Sequence, residues 1–477
     1  MRPEAGGWLS GLTRAICLMV GVIMLVLGPG AAASTRAGGR LWGARHNGPK
    51  NGGDGASGIV TSPDGSKVFV TGWSDGAYGS DYATVAYNAS TGARLWVARY
   101  IGLGYGAPNG IAMSSDGSKV FVTGGSTGAT SDLDYATVAY DASNGGQLWA
   151  TRYNGVGNGF DSANGIVGSP DGSKVFVTGQ SLVASGVQDY VTVAYDASTG
   201  GQLWLKDYAG TGTGAAGALS IAVIPDGSKV FVTGGSAGTT TGNDYVTLAY
   251  DASTGTQLWL KRYNGTGNGD DVATRVVASP DGSKVFVAGE STVTSGDGDY
   301  ATLAYDASTG HQLWVKSYQG PGGPLPQFSS PVVSAASSAD GSKVFMTCQS
   351  LGATTGEDYV TVAYDASTGA KVWTKRYNGP ANDFDAALAV ATSASEVFVT
   401  GTSNGTTSGG DYATVAYDAS TGAKLWVARY NGPGNDWDAG TAVVASPDGS
   451  KVFVTGSSTG TTGGDTAADI ATLAYAA

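Results

Sequence analysis

The hexapeptide Lys-Val-Phe-Val-Thr-Gly at residues 174–179 decides the architecture, because closely similar copies recur along the chain. Each copy is followed by Asp-Tyr-x-Thr-Val/Leu-Ala-Tyr (Asp-Ile in the last copy), and a tryptophan lies between successive copies. The copies are 52 to 59 residues apart, and their first valines are Val68, Val120, Val175, Val230, Val285, Val344, Val397 and Val452. Self-similarity at such a period indicates a repeat architecture.

Each repeat contains four strands separated by turn residues. In the third repeat, residues 163–169 and 174–178 are predicted strands joined by Pro-Asp-Gly at 170–172. Proline presets φ and glycine accepts the left-handed conformation, so this tripeptide predicts a tight turn. A third strand at 190–195 and a fourth around Trp204 are separated by Asp-Ala-Ser-Thr-Gly at 196–200. Four strands in a repeat of this length are typical of a propeller blade.

The two ends of the repeat region predict how the ring closes. Residues 40–45 resemble a fourth strand with no first three strands before it, and the last repeat stops at a third strand ending near Tyr475. Pairing these two strands completes a blade and removes two exposed sheet edges. We therefore predict an all-β, eight-bladed β-propeller of four-stranded antiparallel blades, with the last blade closed by the N-terminal strand.

Composition excludes several other classes of protein. The 477 residues include 78 glycines, and only 13% are charged. Glycine disfavours helix by about 1 kcal/mol per site, so long helices are not expected. A hydrophobic content of 41% argues against disorder. The net charge of −12 argues against a nucleic-acid partner, since phosphates require clustered Lys and Arg.

The first 33 residues have the features of a secretory signal peptide. Arg2 and Arg14 precede an apolar run at 15–28, and Ala-Ala-Ala at 31–33 offers small residues for cleavage. The run is shorter than the roughly 20 residues of a membrane span, although an uncleaved anchor is the alternative. We predict a signal peptide at 1–33, a short linker at 34–39 and one propeller domain at 40–477. The mature protein would be periplasmic or extracellular, with no stable membrane span.

Residues 416–426, Ala-Tyr-Asp-Ala-Ser-Thr-Gly-Ala-Lys-Leu-Trp, resemble the tryptophan-docking motif of quinoprotein-like (PQQ-like) eight-bladed propellers. The Tyr-Asn-Gly-x-x-Asn…Asp stretches are also similar to secreted bacterial β-propeller repeats. The resemblance implies that one tryptophan per blade packs between blades in a structural role. These tryptophans are Trp42, Trp96, Trp149, Trp204, Trp259, Trp314, Trp373 and Trp426.

The same resemblance raises the question of a cofactor. Quinone-dependent alcohol dehydrogenases of this family bind pyrroloquinoline quinone (PQQ) with Ca²⁺, and typically have an adjacent Cys-Cys pair and long insertions. Here the predicted mature chain has a single cysteine, Cys348, and the repeats vary by only a few residues. We therefore expect no cofactor, with PQQ and Ca²⁺ as the alternative.

The longer loops are expected on one face of the ring. They join the fourth strand of one blade to the first strand of the next, and the second strand of each blade to its third. Loop residues Phe384, Asp385, Trp437 and Asp438 would offer aromatic platforms and carboxylate acceptors to a ligand. The alternative is that Asn, Asp and Gly only shape the turns. Two sets of aspartates recur in the blades, one at the position of Asp438 and one in the Asp-Tyr motifs. Their carboxylates would either bind Ca²⁺, which takes several oxygen ligands, or accept hydrogen bonds from backbone amides.

A single binding site must break the eightfold repeat, and Arg275 is the clearest break. The equivalent residues are small: Gly58, Gly110, Gly165, Ser220, Ser334, Ala389 and Ala442. A guanidinium at this position would face the central channel and suit an anionic group, with Asp271 as a neighbouring candidate. The alternative is a local salt bridge from Arg275 to Asp270, Asp271 or Glu290.

Signals for catalysis or a metal are weak. Gly-x-Ser-x-Gly occurs four times, for example at 124–128, but always at the end of a second strand and without the helix and histidine of a nucleophile elbow. His46, His311 and Cys348 have no neighbouring acid or base that suggests activation, so we expect both histidines at the surface and the thiol buried. We predict no catalytic residue and no metal ligand.

These observations favour an exported, non-catalytic binding or scaffold protein whose loop face takes a protein or polysaccharide of the cell envelope. A PQQ-dependent oxidoreductase on the same fold is one alternative. A scaffold for envelope protein assembly, which the resemblance also implies, is the other, although the lipid-attachment cysteine expected for it is missing.

Overall fold

Alternating apolar strands and Gly-containing turns fold into eight four-stranded antiparallel sheets, as predicted. The computed structural model describes residues 36–76, 79–183, 186–211, 214–293, 298–323, 333–460 and 468–477. Residues 36–477 form one compact unit, while the predicted signal peptide at 1–33 lies outside the described residues. No helix with the length and apolar character of a membrane span occurs in the described residues.

The first half of the chain forms β1 and blades 1 to 4. The strands are β1 (Arg40–His46), then β2 (Asp54–Thr61), β3 (Lys67–Asp75), β4 (Ser80–Asn88) and β5 (Arg94–Tyr100) in blade 1, β6 (Gly106–Met113), β7 (Lys119–Thr127), β8 (Leu133–Asp141) and β9 (Gln147–Tyr153) in blade 2, β10 (Asp161–Gly168), β11 (Lys174–Leu182), β12 (Gln188–Asp196) and β13 (Gln202–Tyr208) in blade 3, and β14 (Ala216–Val223), β15 (Lys229–Ala237), β16 (Asn243–Asp251) and β17 (Gln257–Tyr263) in blade 4.

The second half forms blades 5 to 8. The strands are β18 (Val272–Ala278), β19 (Lys284–Thr292), β20 (Gly298–Asp306) and β21 (Gln312–Tyr318) in blade 5, β22 (Ser334–Ser337), β23 (Lys343–Leu351), β24 (Glu357–Asp365) and β25 (Lys371–Tyr377) in blade 6, β26 (Asp385–Thr392), β27 (Glu396–Asn404), β28 (Gly410–Asp418) and β29 (Lys424–Tyr430) in blade 7, and β30 (Asp438–Ala445), β31 (Lys451–Thr459) and β32 (Ala468–Ala476) in blade 8. Strand β1 pairs with β32 and completes blade 8.

Within each blade we name the strands A to D from the inside outwards. The B and C strands are buried on both faces: Val175, Phe176 and Val177 of β11 are fully buried. Such strands are consistent with sheets stacked on both sides by their neighbours. The A strands surround a central channel, and the D strands form the outer rim. The A–B and C–D turns lie on one face (the turn face), and the D–A and B–C loops lie on the other (the loop face).

A tryptophan from each D strand packs against the C–D turn of the next blade. Trp204 lies between Phe176 of its own blade and Tyr250 of the next, with ring centroids 5.7 and 6.1 Å away. Its Nε1 donates a hydrogen bond to the carbonyl of Ala252 at 3.1 Å. Its ring covers Gly255, where a β-carbon would lie 2.8 Å from the indole. The same bond is made by Trp42, Trp96, Trp149, Trp259, Trp314 and Trp373.

At the boundary between blades 7 and 8, the contact between tryptophan and turn glycine is made by Trp426 and by Gly38, which precedes β1. Gly38, at φ +75°, takes the place of the turn glycine and packs against Trp426. The Gly38 amide donates to the carbonyl of Ala476 at 2.8 Å, which ties the segment before β1 to β32. The predicted closure by the N-terminal strand is therefore confirmed.

Candidate functional site

The D–A loops on the loop face are held rigid by buried carboxylates. Asp438 accepts hydrogen bonds from the amides of Gly432 at 2.6 Å and Thr459 at 3.1 Å, so it joins its own loop to the neighbouring B–C loop. Burial raises the pKa of this carboxyl above its ordinary value. The carboxylates of Asp54, Asp161, Asp271 and Asp385 are buried in the same way and each accept a loop amide. The structure thus turns these carboxylates, including the ligand candidates Asp271, Asp385 and Asp438, towards the backbone.

An asparagine pair fixes the conformation of most of these loops. Asn435 adopts a left-handed conformation at φ +53°, and the side-chain amide of Asn431 donates to its Oδ1 at 2.7 Å. Asparagine tolerates this region because its short polar side chain bonds locally. Left-handed asparagines recur at Asn51, Asn158, Asn268 and Asn382. The repeated Tyr-Asn-Gly-x-x-Asn pattern therefore encodes a preformed loop.

The structure brings two candidate ligand residues together, Phe384 of blade 7 and Trp437 of blade 8. Their ring centroids are 6.1 Å apart with an interplanar angle of 34°. Trp437 is 48% exposed. Its ring lies over Gly410, where a β-carbon would be 3.1 Å away, and its carbonyl accepts a hydrogen bond from Thr459 Oγ1 at 2.6 Å. The pair is thus an ordered aromatic platform open to solvent.

Large apolar side chains are also exposed on the two D–A loops that flank blade 2. They are Ile101, Leu103 and Tyr105 on one loop and Val156 and Phe160 on the other, with exposed fractions between 36% and 82%. We call this set the apolar loop patch. The Tyr105 backbone is fixed, because its carbonyl accepts a hydrogen bond from the Thr127 amide at 2.8 Å. The loop face therefore departs from eightfold symmetry.

Clusters of Arg, Asp, Ser and Tyr join neighbouring blades near the loop face, and the sequence patterns did not predict them. Arg262 pairs with Asp244 at 2.9 Å and donates to Ser236 Oγ at 3.3 Å and to the hydroxyl of Tyr208 in the preceding blade at 3.0 Å. These partners are the Asp of the Asp-Tyr motif and the Ser of the Gly-x-Ser-x-Gly matches. Equivalent ion pairs join Arg45–Asp469, Arg99–Asp81, Arg152–Asp134, Arg376–Asp358 and Arg429–Asp411.

His46 occupies the position that tyrosine holds in these clusters. The expectation of a surface histidine was wrong, because His46 is only 5% exposed. Neither ring nitrogen has a hydrogen-bond partner among the described residues. Burial, together with the nearby charges of Arg94 and Arg99, lowers the pKa of His46. The second histidine, His311, is exposed in a turn.

The central channel contains a cavity of about 700 Å³ lined by the A strands of all eight blades. Arg275 lines this cavity and is exposed to it. In the register of the A and B strands it pairs with Ala288. Its seven predicted equivalents occupy the same register, each opposite a B-strand threonine. The alternative prediction was a local salt bridge from Arg275. No such ion pair occurs among the described residues.

Comparison with known proteins supplies the family. The family model described as outer membrane protein assembly factor BamB, built of PQQ-like repeats, matches residues 31–152, 134–292 and 187–462. The chain belongs to this PQQ-like propeller family. No curated protein sequence matches it significantly.

Solved structures similar to this PQQ-like propeller share its fold at low sequence identity. BamB from Moraxella catarrhalis is 15% identical, with 91% of this chain and 98% of that chain covered and a TM-score of 0.51. Quinohemoprotein alcohol dehydrogenase from Comamonas testosteroni is 15% identical, with coverage of 91% and 76% and a TM-score of 0.54. Chaetomium thermophilum Sqt1, bound to the N-terminus of ribosomal protein L10, is 14% identical, with coverage of 91% and 98% and a TM-score of 0.55.

The residues of this PQQ-like propeller do not fit a centre made of PQQ and Ca²⁺. Among the residues lining the cavity, Arg275 is charged and none is a carboxylate that would ligate calcium. Cys348 is buried and is the single cysteine among the described residues, and burial raises the pKa of its thiol. Within the described ranges, no group of three or more His, Cys, Asp or Glu side chains is placed to hold a metal ion.

The turn face predicts how stability depends on pH. Asp116 accepts hydrogen bonds from Ser114 Oγ at 2.6 Å and the Ser118 amide at 2.9 Å, which lower its pKa from 3.8 to about 2. This contribution to stability is present above pH 3.8 and is lost as the pH falls towards 2. The same pKa is found for Asp64, Asp171, Asp196, Asp281, Asp306, Asp340, Asp418 and Asp448.

The buried loop-face aspartates, such as Asp438, act in the opposite sense. Their raised pKa favours folding below pH 3.8, and that contribution is lost as the pH rises through their folded pKa. We therefore expect the free energy of unfolding to be greatest in weakly acidic solution and to fall between pH 3.8 and 2. Urea denaturation of wild type and Asp116→Ala checks this: the variant should be less stable at pH 6, with a smaller difference at pH 2. A difference independent of pH would contradict the assignment.

Proposed function

We propose that this chain is an exported, non-catalytic binding protein whose loop face engages a protein of the cell envelope. The observation that carries the proposal is the apolar loop patch, in which large side chains are presented to solvent by loops with ordered backbones. Exposed apolar clusters on soluble proteins mark interaction sites. Ordered loops also bind with a smaller loss of conformational entropy.

Two of the comparisons support a binding role for the propeller. The matching family is described as an outer membrane protein assembly factor, and the Sqt1 propeller was solved with a bound protein N-terminus. Export rests on the predicted signal peptide at 1–33. A quinone-dependent oxidoreductase remains the alternative from another class, but the channel lining does not favour it.

A glycan ligand is the second candidate, and the platform formed by Phe384 and Trp437 favours it. The exposed carboxylates of Asp383 and Asp436 immediately precede the two aromatic residues, and Asn404 Nδ2 donates to Asp383 at 3.2 Å. An aromatic face suits the apolar side of a sugar ring, and carboxylates accept hydrogen bonds from its hydroxyls. This site lies on blades 7 and 8, apart from the apolar loop patch.

Binding of the purified protein to isolated cell envelopes of its host tests both candidates. We expect the double variant Leu103→Ser, Tyr105→Ser to lower the apparent affinity at least tenfold, because it removes two exposed apolar anchors. Leu258→Ser is the matched control, since Leu258 is 44% exposed on an outer D strand of blade 4. Protease treatment of the envelopes should abolish wild-type binding.

The outcomes separate the two ligand classes. Binding that resists protease, is removed by glycan-degrading enzymes and is lost in Trp437→Ala would replace the protein partner with a glycan. Equal binding by wild type and both loop variants would contradict a ligand on the loop face. A functional quinone would instead give a visible chromophore and dye-linked alcohol oxidation after reconstitution with PQQ and Ca²⁺.

A further inference from the structure

The cavity in the central channel occupies the part nearer the turn face. Its lining begins at the A-strand positions of Ser57, Asn109 and Asn164 and reaches Pro225 and Pro280 in the A–B turns. The cavity therefore lies away from the loop face and from the two surfaces described there. A volume of about 700 Å³ is within the range of small-molecule sites.

The wall around Arg275 differs from the equivalent places in the other blades at two neighbouring residues. Side chains at its position point towards the next blade: a β-carbon on Gly110 would lie 2.9 Å from Cγ2 of Ile166. Where most blades have Ile or Val at the position of Ile166, the blade after Arg275 has Ala335, the smallest residue of the set. The B-strand residue paired with Arg275 is Ala288, where the other blades have threonine. Two small neighbours thus leave room for one long side chain.

The charge of Arg275 is not balanced by any side chain in the part of the protein that the structure describes. Arg275 forms no ion pair or hydrogen bond with any residue that the structure describes, and it is the charged residue among those lining the cavity. The surrounding strands desolvate the guanidinium and lower its pKa, even though water in the channel reaches it. A guanidinium at the cavity wall with none of the described residues as its counterion is suited to pair with an anionic group. A bound anion would compensate its charge.

The rest of the wall indicates the character of that anion. Ile59, Ile111, Ile166 and Ile221 contribute apolar surface together with Val276, Val390 and Val443. Hydroxyl side chains also line the cavity, and those of Ser220, Ser334 and Thr441 bond to backbone groups of the next blade. The side-chain amides of Asn109 and Asn164 donate to the backbone carbonyls of the next blade at 2.8 Å, so they are already engaged. We propose that the channel binds a small monoanion with an apolar body, an aliphatic or aromatic carboxylate, whose charged group pairs with Arg275.

Titration calorimetry of the purified mature protein tests this site with benzoate, hexanoate, neutral benzamide and inorganic phosphate. We expect saturable, one-site binding of the two carboxylates and at least tenfold weaker binding of benzamide, which keeps the ring but not the charge. Arg275→Ser, which introduces the residue found at 220 and 334, should weaken benzoate binding at least tenfold. Arg275→Lys should retain part of the affinity, and Leu258→Ser, on an outer D strand, should bind benzoate as wild type does.

Thermal unfolding gives a second readout that does not depend on the loop face. Without ligand, Arg275→Ser should melt close to the wild-type temperature, because Arg275 makes no ion pair or hydrogen bond with the described residues. Benzoate should raise the melting temperature of wild type but not of Arg275→Ser. Equal benzoate binding by the two proteins, or no saturable binding of either carboxylate to folded wild type, would overturn the proposal. Tighter binding of phosphate than of benzoate would overturn the requirement for an apolar body.

Discussion

Replacing Gly255 with alanine is expected to lower the free energy of unfolding by about 3 kcal/mol. The left-handed backbone at φ +70° costs a residue with a β-carbon about 1–2 kcal/mol. In addition, the new β-carbon would lie 2.8 Å from the ring of Trp204, and overpacking of this kind costs about 1–3 kcal/mol. Urea denaturation followed by tryptophan fluorescence measures the loss.

Gly186 supplies the matched control for this substitution. It has a similar φ of +80°, but no heavy atom of the described residues, apart from its neighbours in the chain, lies within 4 Å of the position of its β-carbon. Gly186→Ala should therefore show only the backbone cost, about 1–2 kcal/mol. If the two variants lost equal stability, the contact between Trp204 and Gly255 would contribute nothing beyond backbone conformation.

Truncation of Trp204 to alanine is expected to lower the free energy of unfolding by about 3–5 kcal/mol. The side chain is 8% exposed, and its removal leaves a cavity between two blades. Trp204→Phe should cost less, since it keeps an aromatic ring between Phe176 and Tyr250 and loses mainly the hydrogen bond to Ala252.

The exposed tryptophan on the loop face is the control for this truncation. Trp437→Ala should change stability by no more than about 0.5 kcal/mol, as is usual for surface positions. Equal losses for Trp204→Ala and Trp437→Ala would show that the tryptophan between blades does not stabilise the ring. Equilibrium unfolding in urea, with the folded fraction checked by near-ultraviolet circular dichroism, measures all three variants.

The fold was predictable because its determinants are local and repeated. Pro-Asp-Gly and Asp-Ala-Ser-Thr-Gly specify the turns of each blade, and the unpaired strands near Trp42 and Tyr475 revealed the closure. The eight repeats also made Arg275 visible as a departure, since one unlike residue stands out against seven equivalents. A sequence repeat of this kind therefore predicts the architecture and also identifies the residues that depart from it.

The details of the loop face depended on side-chain directions that a sequence pattern does not give. Nothing in the sequence distinguished a carboxylate facing solvent from one turned towards a loop amide, as in Asp438. The cluster of Arg262 was missed because its partners come from three strands whose register must be known first. His46 was misplaced for the same reason, whereas the proximity of Phe384 and Trp437 emerged only from the packing of two blades.

The pairing of β1 with β32 also sets the order of assembly. The contact between Arg45 and Asp469 joins residues 424 positions apart in the chain. A polypeptide emerging from its N-terminus first therefore carries β1 as an unpaired edge until nearly all of the other strands have been synthesised. Contacts between such distant residues are slow to form, because a long loop must close first. Completion of the ring is thus the last event of folding, and until then the first strand is open to pairing with another chain.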